Sequence, residues 1–389
     1  MTPLAPPARK PGAMTTMHRR IRPVLAVLAA AIALAACGQT GPAADGATPT
    51  PRATAKPQAT REFQACFGAP PAGWSGVQRA ALPTTQFDPL VIAPSGDRAY
   101  GSYQTTAGEQ GIAAVDLTGG TLTPLVSGRA LGLAVAPSWL AWVQGLGQGF
   151  PEPWALHARN LDSGEQLTLA SGDASILPPG LALRGTELAW LQAMSADLTK
   201  PADELRVYDL AARKQSVLDS GVLGAPVLAG PYLVWTHGLG DAAVLQAVDA
   251  STLLPAALPA QLRAQTGIRA LAGSPAYLFW DTGRNHGAAW RFDRGQLTTY
   301  TVNEPYGLQF MTVAGHFLLW SIGSPPGSLV MDLDTGGGYL VASAVLAGSE
   351  AAIVRTGPLG ASNPKSGSPG TTVSVLTVAS APAIPRCSG

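Results

Sequence analysis

Between about residues 87 and 381 the chain alternates short apolar runs with turn residues, and the apolar positions follow strand-like alternation with no helical three-and-four spacing. An apolar pair ending in tryptophan returns five times: Leu140-Ala141-Trp142, Leu188-Ala189-Trp190, Leu233-Val234-Trp235, Leu278-Phe279-Trp280 and Leu318-Leu319-Trp320. The spacings between these tryptophans are 48, 45, 45 and 40 residues. Tyr100 takes the same place in the segment before, and Ile353 in the segment after. Behind each lies a second landmark, a stretch ending in Asp or a substitute: Val115-Asp116-Leu117, Arg159-Asn160-Leu161, Tyr208-Asp209-Leu210, Val248-Asp249-Ala250, Phe292-Asp293-Arg294, Met331-Asp332-Leu333 and Leu376-Thr377-Val378. Six steps from Asp116 to Thr377 span 261 residues, a mean of about 43.5, so the pattern predicts seven units.

Each unit reads as four short strands. In the second, an inner strand near Leu131 to Ala136 is followed by the strand ending in Trp and then by a variable loop. The Asp-ending strand comes next, then a turn such as Asp162-Ser163-Gly164 and a last strand near Gln166 to Ala170. Strands of this length with turns between them suit a sandwich, a barrel or a propeller, and a period in the low forties with four strands per unit selects the propeller. The expected fold is all-β, a seven-bladed β-propeller of four-stranded antiparallel blades; six or eight blades remain compatible, because the first and last units lack the Trp. No convincing helix is predicted after the leader.

The repeated Leu-Ala-Trp and Tyr-Asp-Leu stretches resemble the bacterial WD40-like and TolB-type seven-bladed propellers, over roughly Phe87 to Ala381. The Gly-His and Trp-Asp signatures of eukaryotic WD repeats are missing. A Trp at one place in five blades is expected to pack between blades rather than to stack on a ligand. The Asp is expected to hold the following turn through backbone N–H groups. A propeller must also close its ring. The tail after Val378 is broken by Pro382 and Pro385, so an early segment, about Gly76 to Leu82, is expected to supply the outer strand of the last blade.

The front of the chain is of another kind. Residues 1–36 hold Arg9, Lys10, Arg19, Arg20 and Arg22 with no acidic residue, then an apolar run from Val24 to Ala36 that is too short for a permanent span. Met14 and Met17 are alternative starts. Leu34-Ala35-Ala36-Cys37-Gly38 resembles the lipobox of bacterial lipoproteins, which implies cleavage before Cys37 and a diacylglycerol anchor on its thiol, with membrane lipid as a partner and a place facing the periplasm or the cell exterior. Residues 37–61 are rich in Pro, Ala and Thr and read as a disordered tether; residues 62–389 read as a single propeller domain.

Removing the leader takes five of the 25 Lys and Arg and none of the 24 Asp and Glu, leaving 20 against 24. The mature chain is mildly acidic and has no basic stripe, which argues against nucleic acid as a partner. Cys66 and Cys387 are the only other cysteines; they flank the propeller in an oxidising setting and are expected to form a disulfide that pins the seam.

Chemistry is sparse. The candidate binding face is the end formed by loops between second and third strands and by connections between blades, and it carries Glu152, Trp154, His237, Asp241, Asp281, Arg284 and His286. The stretch from Trp280 to His286 is the densest polar cluster, able to hold an acid, a base and an anion-binding group, and equally able to be a solvated turn. His157, His237, His286 and His316 fall in different units, and no pair has metal-ligand spacing, so neither a metal nor a cofactor is expected. There is no Gly-x-Ser-x-Gly and no phosphate-cradling loop, and no catalytic residue is assigned. The favoured reading is a non-catalytic binding or scaffolding propeller for a protein, peptide or glycan. The alternative is a hydrolase or lyase acting on a polysaccharide or cell-wall component, with Asp281, Arg284 and His286 at the channel mouth.

Overall fold

In the computed structural model the described residues are 61–68, 70–147, 152–197, 202–283, 286–302, 308–323, 326–342, 345–358 and 370–386. The leader, most of the tether, Cys37, Arg284 and Cys387 lie outside them, as does the side chain of Cys66.

Seven antiparallel blades follow one another along the chain, the fifth and sixth joined into one nine-stranded sheet by the strand Arg61–Gly68. Blade 1 has strands Thr85–Ile92, Arg98–Thr105, Gln110–Asp116 and Leu122–Ser127. Blade 2 has Arg129–Ala136, Trp139–Gly145, Trp154–Asn160 and Gln166–Gly172, and blade 3 has Leu181–Arg184, Glu187–Ala193, Asp203–Asp209 and Lys214–Gly221. Blade 4 has Val227–Ala229, Tyr232–His237 and Val244–Asp249. Blade 5 comprises Ala270–Gly273, Tyr277–Gly283, His286–Arg291 and Gln296–Val302; blade 6 comprises Leu308–Ala314, Phe317–Gly323, Pro326–Asp332 and Gly337–Ala342. Blade 7 takes Val345–Gly348, Ala352–Pro358 and Thr371–Thr377 from the end of the chain and Val77–Leu82 from its beginning. The first strand of each blade neighbours that of the next, and the last returns to the first, so the inner strands close a ring. The protein is an all-β seven-bladed propeller.

The repeated tryptophans explain why the blades stack. Trp142, Trp190 and Trp280 are fully buried, with Trp320 and Trp235 nearly so. Because side chains on a strand alternate between faces, Trp142 meets Tyr100 and Ile112 of blade 1, while its neighbours Ala141 and Val143 meet Leu183 and Trp190 of blade 3. The same arrangement sets Trp235 against Leu205 and Val207, Trp280 against Val234 and Leu245, and Trp320 against Phe279 and Tyr300. Ile353 continues the series against Phe317 and Val330 of blade 6. Tyr100 does not: it lies one residue out of phase and faces blade 2, and the small Ala99 takes the blade 7 side. A shift of one position on a strand exchanges the faces.

The turn aspartates act as expected in most blades. Asp116, Asn160, Asp209, Asp249 and Asp332 each accept backbone N–H bonds from the residues two and three further on. In blade 5, Asp293 instead grips Arg291 at 2.7 and 3.1 Å.

Three features depart from the expectation of uniform four-stranded blades without helices. Blade 4 lacks a full outer strand; Pro255 and Thr266 make single bridges, and a four-residue helix, Ala260–Arg263, fills the gap. Proline has no N–H for a continuous ladder, so Leu258, Leu262 and Ile268 join the buried cluster of blades 4 and 5 in place of a strand. The strand Arg61–Gly68 runs parallel to the outer strand of blade 5 through Ala65, then to that of blade 6 from Cys66. The tail, broken by prolines, docks on blade 6. Ile384 N–H donates to Asp332 Oδ2 at 3.1 Å, Thr335 Oγ1 donates to Ile384 O at 2.5 Å, and Trp74 Nε1 donates to Pro382 O. Gly337 permits this approach, since a Cβ there would meet the Pro385 carbonyl oxygen at 2.2 Å.

Candidate functional site

The loop end of the ring gathers the connections between second and third strands and those between blades. Its polar groups are mostly held by partners close to them. Glu152 is buried; one carboxylate oxygen pairs with Arg129, on the first strand of the same blade, and the other accepts Gly147 N–H at 2.7 Å. Trp154 is fully buried between blades 2 and 3 and donates its indole N–H to Ile176 O at 2.9 Å, so it offers no exposed ring.

At blade 4, His237 is joined to a group that the sequence did not single out. Asp219, on the outer strand of blade 3, places Oδ2 2.8 Å from Trp235 Nε1 and 3.0 Å from His237 Nδ1. Partial burial works to raise the Asp219 carboxyl, but the hydrogen bonds from His237 and Trp235 prevail and hold it below the ordinary carboxylate range. Nearby, burial pushes the Asp203 carboxyl up even though Leu223 N–H donates to it. Asp219 was legible only as one acid among many, because its partnership crosses from one blade to the next.

Asp241 lies in the short 3-10 turn Gly240–Ala242 of the next loop. In blade 5, Asp281 Oδ1 accepts Gly283 N–H at 2.8 Å, Thr282 Oγ1 donates to His286 O, and His286 Nδ1 sits 3.4 Å from Thr301 Oγ1. Asp281 and Gly283 thus form a self-bonded turn. Arg284 lies outside the described residues.

The same end carries apolar side chains that sequence reading missed. Leu146, Leu177, Met194 and Leu239 are 57%, 53%, 50% and 62% exposed, all on connections of blades 2, 3 and 4. As isolated apolar loop residues they have no sequence signal; only the shared end of the ring relates them.

The opposite end holds the densest polar network. Arg291 donates to both oxygens of Asp334 at 2.6 and 2.8 Å while also gripping Asp293, and Tyr277 OH donates to Asp334 Oδ1 at 2.6 Å. Burial raises the Asp332 carboxyl. Tyr277 and Arg291 hold Asp334 below the carboxylate range against the effect of its burial. With the tail bonded to Asp332 and Thr335, this network ties blades 5 and 6 to the chain end. A cleft of about 190 Å³ between blades 1 and 2, lined by Asp97, Arg98, Tyr100 and Asp162, lies at that end too. Among the described residues, no group of three or more His, Cys, Asp or Glu is placed to hold a metal, and no helix is long and apolar enough to cross a membrane.

With this geometry in view, comparison with solved structures is informative about architecture. A prolyl endopeptidase matches over 79% of this chain and 49% of its own, with a TM-score of 0.52 and 14% identity; the chain spans about half the length of that protein. An oligogalacturonate lyase in complex with manganese matches over 76% of this chain and 90% of its own, with a TM-score of 0.49 and 12% identity. TolB from Acinetobacter baumannii matches over 64% of each chain, with a TM-score of 0.46 and 15% identity. The likeness is one of fold. No protein-family model matches the chain, and no curated protein does.

Proposed function

We propose that this chain is a membrane-tethered extracytoplasmic lipoprotein, cut before Cys37 and anchored through its thiol, whose propeller is a non-catalytic binding or scaffolding module for a protein, peptide or glycan. The leader and the Leu34-to-Gly38 stretch support the anchor. One structural observation supports binding: Leu146, Leu177, Met194 and Leu239 are all exposed on connections at the loop end of blades 2 to 4, and apolar side chains gathered at one end of a fold favour an interaction surface. The acid and base candidates of that end are divided among blades 2, 4 and 5, and Asp281 turns its Oδ1 onto the Gly283 N–H. We also propose that Cys66 and Cys387 are joined; the backbone of Cys66 pairs with Gly337, against which Pro385 packs, two residues before Cys387.

A photo-cross-linker at position 239, in cells making the full chain, should capture a discrete partner that the same group at position 254 on the opposite end does not. Absence of any adduct specific to position 239 counts against a binding module. The second reading, a hydrolase or lyase on cell-wall polysaccharide, has one observation in its favour: Asp219 orients His237 through Nδ1 and leaves Nε2 for a substrate. Polysaccharide cleavage by the full chain that disappears in His237→Ala would establish it.

A further inference from the structure

We propose that the loop end of blades 2 to 4 docks an apolar segment of a partner protein that also carries lysines or arginines; this rests on the binding reading above and adds the chemistry of the partner. Four of the nine exposed large apolar side chains among the described residues, Leu146, Leu177, Met194 and Leu239, stand on connections at this one end of three consecutive blades. Scattered surface leucines are ordinary; among the described residues, the opposite end carries one such side chain on a connection, Leu254.

The surrounding charge selects the partner. Among the described residues from Ser127 to Ala243 that sit at this end, Asp173, Asp197, Asp203, Asp219 and Asp241 are carboxylates, Asp219 facing His237, while the arginines Arg129 and Arg206 are already engaged by Glu152 and Glu204. The turns of the opposite end mix acids with Arg98, Arg184, Arg213, Lys214, Arg291 and Arg294. The apolar side chains therefore sit in a surface of negative potential, which favours a cationic partner and speeds its approach. The same charge repels an anionic lipid surface. A glycan would want exposed aromatic faces, whereas Trp154 and Trp235 are buried.

The test uses the full chain and short labelled peptides read by fluorescence anisotropy: one alternating leucine and lysine, one with glutamate in place of lysine, one with serine in place of leucine. The leucine–lysine peptide should bind, the other two at least about tenfold more weakly, and added salt should weaken the first. Met194→Ser/Leu239→Ser should weaken binding about tenfold or more, and Asp203→Asn/Asp241→Asn should weaken it in the same direction, while Leu254→Ser at the other end leaves it unchanged. Equal binding of the leucine–glutamate peptide overturns the proposal. So does unaltered binding to Met194→Ser/Leu239→Ser. Sedimentation showing that the full chain self-associates, and that this pair of substitutions makes it monomeric, assigns the surface to a second copy and overturns it too. If a partner is captured at position 239 but the leucine–lysine peptide does not bind, the binding reading stands and this one falls.

Discussion

At the scale of single residues, the turn aspartates are the clearest case of a side chain replacing a missing backbone partner. Asp209 Oδ1 accepts Ala211 N–H at 2.8 Å and Ala212 N–H at 2.9 Å, and blade 2 does the same with Asn160, a neutral residue. The bonds, not the charge, therefore hold the turn. Asp209→Ala should lower stability by about 1 kcal/mol, in line with one or two lost net hydrogen bonds, and Asp209→Asn should be close to neutral in urea denaturation. Asp219 behaves differently, because its charge faces His237 and Trp235. Its folded carboxyl lies below the ordinary value near 4, so its contribution is fully present above that pH and is lost as pH falls through the lower folded value. The stability gap between wild type and Asp219→Asn should accordingly narrow below about pH 4; a gap constant from neutrality down to about pH 2 would show that the charge is not what matters.

At the scale of elements, each blade is a small sheet that cannot hide both faces alone, and its second strand makes the joint. The five tryptophans were read from sequence as packing residues, and the buried clusters place each against the preceding blade. Trp280→Ala should cost about 3–5 kcal/mol, seen as a large drop in the denaturant midpoint, because a wide aromatic is removed from a joint shared by blades 4 and 5. Tyr100 shows the limit of pattern matching: a conspicuous aromatic at nearly the right spacing faces the other neighbour. Blade 4 shows another, since Pro255 and Pro259 allow only a bridge and a short helix where the repeat called for a strand. The candidate face fared less evenly. Its loops were legible as variable insertions, but the Asp219–His237 contact joins two blades, and no local spacing encodes that distance.

At the scale of the whole molecule, closure is the central demand. Val77–Leu82 completes blade 7 as its outer strand, as the proline-broken tail requires. Val373, fully buried between blades 7 and 1, lies opposite Ala80 in that seam. The bond proposed between Cys66 and Cys387 would fasten the strand Arg61–Gly68 and the docked tail to blade 6. Cys66→Ser and Cys387→Ser should each lower Tm under oxidising conditions and have no effect under reducing ones; equal melting in both conditions removes the bond.

The sequence by itself determined the all-β class, the repeat, a blade number of seven to within one and the strand that closes the ring, because alternation and spacing are local and recur along the chain. It also carried the roles of most of the tryptophans and turn aspartates, since each acts within its own blade or on the next. Tertiary structure alone decided which side chains of the loop end stay exposed, that Glu152 is buried against Arg129 and that Asp219 meets His237. It also decided where the tail docks. Those pairings bring together residues from different strands, loops and blades, and their contacts exist only once the strands have paired and the blades have packed on one another.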